Sequence, residues 1–243
     1  VHKPPFWHLD AGGWEPSTES RAGILLCHIL CSKYCALQTP LSLSFSFLGV
    51  KAMRTSDGKF MFYVGVFLVT AATLILQIVE TRIISVVTWY YLAFLIVGLA
   101  MFGMTAGALK VYLDSERFTK KTVFHELAYN SHTLGALTAV TIVIQMAIPF
   151  SDWGKPVASF FNWCLLSITV AVPFYFSGIV VALALTRSPF PIGRVYAVDL
   201  VGAALGCLAT LALLNMIDAP SAVLWAGALA SAGGLAFSRA AAA

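Results

Sequence analysis

The stretch Phe60-Met-Phe-Tyr-Val-Gly-Val-Phe-Leu-Val-Thr-Ala-Ala-Thr-Leu-Ile-Leu-Gln-Ile-Val79 contains 20 residues and no charged side chain. A helix rises about 1.5 Å per residue, so a run of about 20 apolar residues covers the roughly 30 Å of hydrocarbon in a lipid bilayer. This stretch therefore predicts a transmembrane helix.

The rest of the chain repeats this pattern. Of its 243 residues, 59% are hydrophobic and 11% are charged, and the mean hydropathy is +0.85. An average soluble domain has about 45–50% apolar and about 25% charged residues. We therefore expect an all-α integral membrane protein, a bundle of about six transmembrane helices within residues 53–243, with spans at about 60–79, 87–109, 131–149, 161–185, 195–217 and 221–237.

The first 52 residues do not follow this pattern. They hold two short apolar patches, 23–30 and 41–50, and neither is long enough to cross a bilayer. The first methionine of the chain is Met53, directly before the first strong span. We interpret residues 1–52 as an atypical N-terminal extension, either peripheral or a misassigned start.

The basic residues predict the orientation of the bundle. Ten Lys and Arg residues flank the predicted spans on one side, and only Arg82 and Lys155 flank them on the other. Positive residues in short loops stay on the cytoplasmic side, so both termini are predicted to be cytoplasmic, with the protein in the cytoplasmic (inner) membrane. The net charge of +4 is scattered and forms no basic stripe, so the expected partner is the lipid bilayer and not nucleic acid.

Two pairs of glycines lie four residues apart, Gly103 with Gly107 in the second predicted span and Gly202 with Gly206 in the fifth. Such glycines share one helix face and let a neighbouring backbone approach closely. We expect both faces to pack against other helices. Because the two motifs lie at similar depth, the second and fifth spans are predicted to contact each other.

Pro173 lies in the middle of the fourth predicted span, in a stretch that ends at Gly178. A proline inside a helix removes one backbone hydrogen bond and kinks the helix. The freed carbonyl needs another partner in a bilayer, so this stretch is expected to face protein or trapped water. The kink either shapes the bundle or forms the wall of a cavity, as in the broken helices of transporters.

Charged residues near the ends of two spans are the candidate polar positions. Glu80 and Arg82 are predicted to form an acid–base couple in the short turn between the first two spans, and Arg194 and Asp199 a second couple at the start of the fifth. Each couple either reaches water at the interface or lines a polar cavity. The couples are expected on opposite sides of the membrane, and Asp199 is the first candidate for a functional residue.

The sequence predicts no metal site, no cofactor and no catalytic residue. His125 and His132 are seven residues apart, and three cysteines, Cys27, Cys31 and Cys35, are four apart, but neither spacing is typical of zinc ligands. The phosphate-binding loop, the dinucleotide turn and the nucleophile elbow are all missing from the chain.

Four stretches together resemble the membrane portion of the polytopic spermidine synthase-like proteins of bacteria: Glu80-Thr-Arg82, Gly98–Gly103, Pro173–Gly178 and Gly193-Arg-Val-Tyr-Ala-Val-Asp-Leu-Val-Gly-Ala-Ala-Leu-Gly206. The resemblance covers about residues 60–237. It implies a helical region joined to a cytoplasmic aminopropyltransferase-type domain. The substrate pocket of the family belongs to that soluble domain, so no catalytic residue can be transferred to this chain.

Three functions follow as hypotheses. The first is a membrane domain, or a membrane-only homologue, of a spermidine synthase-like protein, which serves as an anchor and as a pathway for a small cationic or amphiphilic molecule. The second is an accessory subunit of a larger membrane complex, held by its glycine faces and without a ligand of its own. The protein partners expected from the sequence are a second copy of the chain, in a homodimer, or a larger membrane complex. The third is a small transporter built from two inverted halves of three helices.

Overall fold

The computed structural model describes residues 7–10, 13–16, 55–87, 93–114, 122–147 and 156–242. The chain forms two compact units, Val1–Val50 and Lys51–Ala243. In the first unit, strands β1 (Trp7–Asp10) and β2 (Gly13–Pro16) pair antiparallel, with Trp7 opposite Pro16. The sequence predicted no strand in this segment.

The described part of the second unit consists of six helices. Each contains a stretch long and apolar enough to cross a membrane. The predicted number of six is therefore confirmed. The helices are α1 (Thr55–Val87), α2 (Ala93–Leu113), α3 (Val123–Ala147), α4 (Pro156–Thr186), α5 (Ile192–Met216) and α6 (Ala219–Ala242).

The two largest differences from the predicted helix boundaries are the end of α1 and the start of α3. Helix α1 continues through Val87, which the sequence assigned to the second span, because residues 80–87 contain no glycine or proline to end it and Ile84 is buried. Helix α3 begins at Val123, well before the predicted start at residue 131. Its first turns carry polar side chains that pack inside the bundle, including Asn130, so hydropathy alone did not reveal them.

Helix α1 is central to the packing. It packs mainly against α5 and α6, while α3 packs against α4 and α6, and α2 packs against α4. One apolar cluster surrounds a group of aromatic rings at one end of the bundle, where the rings of Phe124, Phe190 and Phe237 all approach Phe62. A second cluster, which includes Ile75, fills the other half.

The outward faces of the helices are strongly apolar. Many large hydrophobic side chains are exposed, among them Phe102, Val143, Leu208 and Leu211, all more than 60% exposed. Several polar side chains are instead buried inside the bundle. This distribution is the reverse of the one found in water-soluble proteins, where contiguous apolar surface is limited.

Candidate functional site: the polar side chains of the first helix

Three polar side chains of α1 lie on one side of the helix. Thr70, Thr73 and Glu80 fall within an arc of about 80°, because successive residues of a helix are about 100° apart. All three are buried. We call these three residues the α1 polar line. Each member bonds to a different neighbouring helix.

Thr70 connects α1 to α5. Its hydroxyl donates to Oδ1 of Asp199 at 2.7 Å, and it also lies 3.0 Å from the carbonyl oxygen of Val66 in its own helix. A threonine hydroxyl has one proton, and the bond to a carboxylate is the stronger of the two. Asp199, the first candidate from the sequence, is half-buried and held by this contact.

Thr73 connects α1 to α4. Its hydroxyl donates to the carbonyl oxygen of Val69 at 2.8 Å, so the hydroxyl of Ser177, 2.6 Å away, is the donor in the contact between the two side chains. Ser177 is fully buried. Both hydroxyl protons are thereby satisfied without water.

Glu80 connects α1 to α3. Nε2 of Gln145 donates to Oε2 of Glu80 at 2.8 Å, and the two residues are 1% and 6% exposed. The other carboxylate oxygen, Oε1 of Glu80, and the amide oxygen, Oε1 of Gln145, are buried and have no hydrogen-bond partner among the residues that the structure describes. Two unpaired acceptors at one contact are unusual, because buried polar atoms are nearly always bonded.

The predicted couple of Glu80 and Arg82 is wrong. Both residues lie inside α1 and not in a turn, and no ion pair joins them among the described residues. Residues two apart in a helix point to different faces, so Glu80 is buried while Arg82 is exposed. Glu80 consequently takes Gln145 as its partner.

The predicted couple of Arg194 and Asp199 does not form either. These residues are five apart in α5, which places them about 140° apart around the helix. Arg194 is exposed, and Asp199 faces Thr70. An ion pair does form between Lys110 and Asp114, which are four residues apart, at 3.3 Å.

The glycine motif of α2 lies against α4. A Cβ atom at Gly103 would come within 2.6 Å of the carbonyl oxygen of Ala171, and one at Gly107 would overlap the carbonyl oxygen of Tyr175. Across the contact, a Cβ at Gly178 would overlap the backbone of α2 at Met104. The two backbones approach so closely only because these positions lack side chains.

The glycine motif of α5 lies against α1. A Cβ at Gly202 would come within 2.8 Å of the carbonyl oxygen of Phe67, and one at Gly206 within 2.8 Å of that of Ala71. The prediction that the two motifs bring α2 and α5 together is therefore wrong. Spacing along the sequence identifies a helix face, whereas the choice of partner depends on the arrangement of all six helices.

Helix α4 continues through Pro173, which is buried. Proline has no N–H group, so the carbonyl oxygen of Thr169, four residues earlier, has no intrahelical donor. The hydroxyl of Thr141 in α3 donates to this oxygen at 3.1 Å. The stretch from Pro173 to Gly178 thus lies against protein, with Phe174 fully buried.

His125 and His132 do not form a ligand set. His125 is exposed and His132 is half-buried against Gly234 of α6. In the described part of the chain, no group of three or more His, Cys, Asp or Glu side chains lies close enough to hold a metal ion. Cys27, Cys31 and Cys35 lie outside the described residues.

Sequence reasoning missed five residues of this site: Thr70, Thr73, Thr141, Gln145 and Ser177. Each is a polar residue inside an apolar run, and that was the available signal. Hydroxyls are frequent in membrane helices because they can bond to their own backbone, as Thr138 does here with Leu134. The sequence does not show which polar residues bond to another helix.

No protein-family model matches this chain, and neither a curated protein nor a solved structure matches it.

Proposed function

We propose that this chain is an integral membrane protein whose six helices cross the cytoplasmic membrane with both termini on the cytoplasmic side. The observation that carries the proposal is the reversed distribution of side chains: large apolar residues cover the outside, and the α1 polar line is bonded inside. In lipid, polar groups need partners within the protein, and apolar side chains are the natural outer surface.

Within this class, the function best supported is that of a membrane domain, or a membrane-only homologue, of a spermidine synthase-like protein. The support is the similarity of the run from Gly193 to Gly206 and the position of that run. It begins α5 and carries both the glycines that pack on α1 and Asp199, which bonds to Thr70. The resembling residues therefore contribute to packing, as expected of an anchor.

A small cationic molecule is the proposed cargo of a pathway past Asp199. This carboxylate is half-buried and has one hydroxyl donor in the described part of the chain, which leaves its second oxygen for a ligand. A polyamine carries ammonium groups, which are suitable donors to that oxygen.

The first experiment tests insertion and topology. All five cysteines are replaced by alanine, and single cysteines are introduced at Gly193 and Asn215, both exposed and near opposite ends of α5. A membrane-impermeant thiol reagent added to intact cells is expected to label Asn215→Cys and to label Gly193→Cys only after permeabilisation. Labelling of both positions from the same side would contradict a spanning α5.

The second experiment tests the pathway. Binding of spermidine to the purified protein is measured by calorimetry for the wild type, for Asp199→Asn and for the matched control Asp114→Asn, which changes an exposed acid. We expect Asp199→Asn to weaken binding by at least about tenfold, equivalent to about 1.4 kcal/mol, and Asp114→Asn to leave it unchanged. Equal binding in all three proteins contradicts a pathway past Asp199 and supports an anchor function alone.

The relation to an enzyme is tested at the level of the gene. A reading frame that continues past the codon for Ala243 into a glycine-rich strand–loop–helix unit would support a membrane domain of an aminopropyltransferase-type protein. A stop codon at that point would support the membrane-only homologue.

The second candidate function is an accessory subunit of a larger membrane complex. It is favoured by α5, in which only 17% of the most apolar stretch is buried inside the bundle. An outward face of this kind contacts either lipid or another subunit. Native electrophoresis of mildly solubilised membranes distinguishes the two, since migration with a large complex favours the subunit and migration as a monomer or homodimer counts against it.

A further inference from the structure

We propose that Glu80 and Gln145 form a proton-binding site, in which Glu80 carries a proton on Oε1 and donates it to Oε1 of Gln145. Together with the observed bond from Nε2 of Gln145 to Oε2 of Glu80, this closes a ring of two hydrogen bonds between a carboxylic acid and an amide. The inference needs the bundle to lie in lipid, and it does not depend on the spermidine synthase-like assignment.

The donors and acceptors at the contact lead to this conclusion. A carboxylate only accepts hydrogen bonds, whereas a carboxylic acid has one O–H donor. The two oxygens left without partners at this contact are both acceptors, so no bond can form between them when Glu80 is ionised. One added proton satisfies both oxygens at once. No other single change to the two side chains does so.

The shape of the two groups permits the ring. Carboxyl and carboxamide groups are both planar, and the bond of 2.8 Å already joins one atom of each. The terminal torsions of Glu and Gln are broad, so each planar group can rotate about its last bond while the rest of the side chain keeps its rotamer.

Burial favours the neutral form of Glu80. At 1% exposure the carboxyl is removed from solvent, and an ionised side chain inside a bilayer is costly unless a positive charge pairs with it. On its own helix the nearest basic residue is Arg82, which points outward. The partner Gln145 is uncharged.

The helices packed around this contact offer no counter-charge among their described residues. Helix α4 contains no charged residue, and its titratable side chains are Cys164 and Tyr175. Helices α2, α3 and α6 have their charged and histidine side chains at the end of the bundle away from Gln145, and Asp218, which precedes α6, is exposed. These side chains are Lys110, His125, Glu126, His132 and Arg239. The charged side chains of α5, Arg194 and Asp199, lie in its first two turns, at that same end.

A proton fits this site better than a larger cation does. Hard cations in proteins take about six or more oxygen ligands, and this contact offers two free oxygens. Both side chains are at least nine-tenths buried, which disfavours contact with an organic ammonium group from solvent. The proposed site therefore joins α1 and α3 through a proton, and loss of that proton weakens the link.

Infrared spectroscopy of the purified protein in lipid nanodiscs tests the proposal. At about pH 7 an ordinary glutamate is ionised, so a C=O stretching band of a protonated carboxyl group is expected only from a group held neutral. We expect this band in the wild type and in Asp199→Asn, and its loss in Glu80→Gln. A wild-type spectrum without the band, or a band that persists in Glu80→Gln, overturns the proposal. A carboxylate band of Glu80 that changes when sodium chloride is added also overturns the proposal, because the site would then bind sodium and not a proton.

A second pair of variants keeps the test independent of folding. Gln145→Leu removes the amide and leaves Glu80 as an unbonded acid, so its C=O band is expected to shift to higher frequency. Gln77→Leu makes the same substitution one turn from Glu80, at a half-buried position, and is expected to leave the band in place. An unshifted band in Gln145→Leu shows that the amide is not the partner and overturns the proposed ring.

Discussion

The hydroxyl of Thr141 donates a hydrogen bond of 3.1 Å to the carbonyl oxygen of Thr169, the oxygen that Pro173 leaves without an intrahelical donor. The donor comes from α3 and the acceptor from α4, so the hydrogen bond that is missing within α4 is replaced by one between the two helices. Both threonines are buried. The hydrocarbon region of a bilayer contains no water, so this bond satisfies a carbonyl oxygen that the proline leaves without a donor.

Removal of the Thr141 hydroxyl is expected to destabilise the protein through this carbonyl. Thr141→Val should lower the free energy of unfolding by about 1–3 kcal/mol, the usual cost of a buried polar group left unsatisfied. In a Pro173→Ala background the residue at position 173 supplies its own N–H to Thr169, so the same substitution should cost clearly less. Unfolding in SDS mixed micelles measures both values.

The control for this cycle is Thr138→Val. Thr138 is equally buried in α3, but its hydroxyl bonds to Leu134 of the same helix. Its replacement should have a small effect that is the same with and without Pro173. An equal cost for Thr141→Val in both backgrounds would show that the proline and the threonine are not coupled.

The contact between Gly107 and Gly178 should tolerate no side chain. Gly107→Ala adds a methyl group that overlaps the backbone of α4, and overpacking of this kind lowers the free energy of unfolding by about 1–3 kcal/mol. Gly98→Ala is the matched control in the same helix, since nothing lies within 4 Å of its Cβ position. It should be neutral, or stabilising by up to about 1 kcal/mol through helix propensity. Similar unfolding curves for the two variants would contradict the close approach of the α2 and α4 backbones at Gly107.

The bond between Thr70 and Asp199 should give a measurable but modest coupling energy. Double-mutant cycles between membrane helices average about 0.6 kcal/mol and reach about 1.7 kcal/mol. We expect a value in this range for Thr70→Val combined with Asp199→Ala. The control cycle combines Thr73→Val with Asp199→Ala and should give no coupling, because Thr73 bonds to Ser177. Equal coupling in the two cycles would contradict a specific bond at Thr70.

Asp218 should make the stability of the fold depend on acid pH. It lies just before α6, outside the membrane-spanning segments, and its pKa is lowered by its own backbone N–H and by the Ser221 hydroxyl at 3.1 Å. A lowered pKa in the folded state contributes stability above the pKa of the unfolded chain, and this stability is lost as pH falls through the folded pKa. Thermal unfolding at acid pH should therefore become less pH-dependent in Ser221→Ala.

The matched variant at this helix start is Asp218→Asn. Asp218 caps α6, since the backbone N–H of Ser221 donates to its Oδ2 at 3.4 Å. Asparagine caps a helix about as well as aspartate, so the melting temperature near neutral pH should change little while the acid dependence contributed by this residue disappears. Asp218→Ala removes the cap and should lower the melting temperature at every pH. If the dependence of the melting temperature on acid pH is unchanged in Asp218→Asn, a group other than Asp218 causes it.

The sequence predicted the features that depend on neighbouring residues. Hydropathy is a local property, so six apolar runs gave six helices, and glycines four apart correctly marked packed faces such as that of Gly202 and Gly206. Local patterns gave wrong predictions for the ends of helices and for the helices that pack against each other. The apolar pattern stops at Glu80, whereas the helix continues to Val87 because nothing in the chain breaks it.

By itself, the sequence determined that most of this chain forms long apolar helices, since length and hydropathy decide whether a segment can be buried in hydrocarbon. Only the tertiary structure decided which helices meet. Glu80 bonds to Gln145, 65 residues away, instead of Arg82, two residues away. The physical reason is geometric. Residues two apart lie on different faces of a helix, and a residue on the inward face contacts whichever helix packs there, at any distance along the chain.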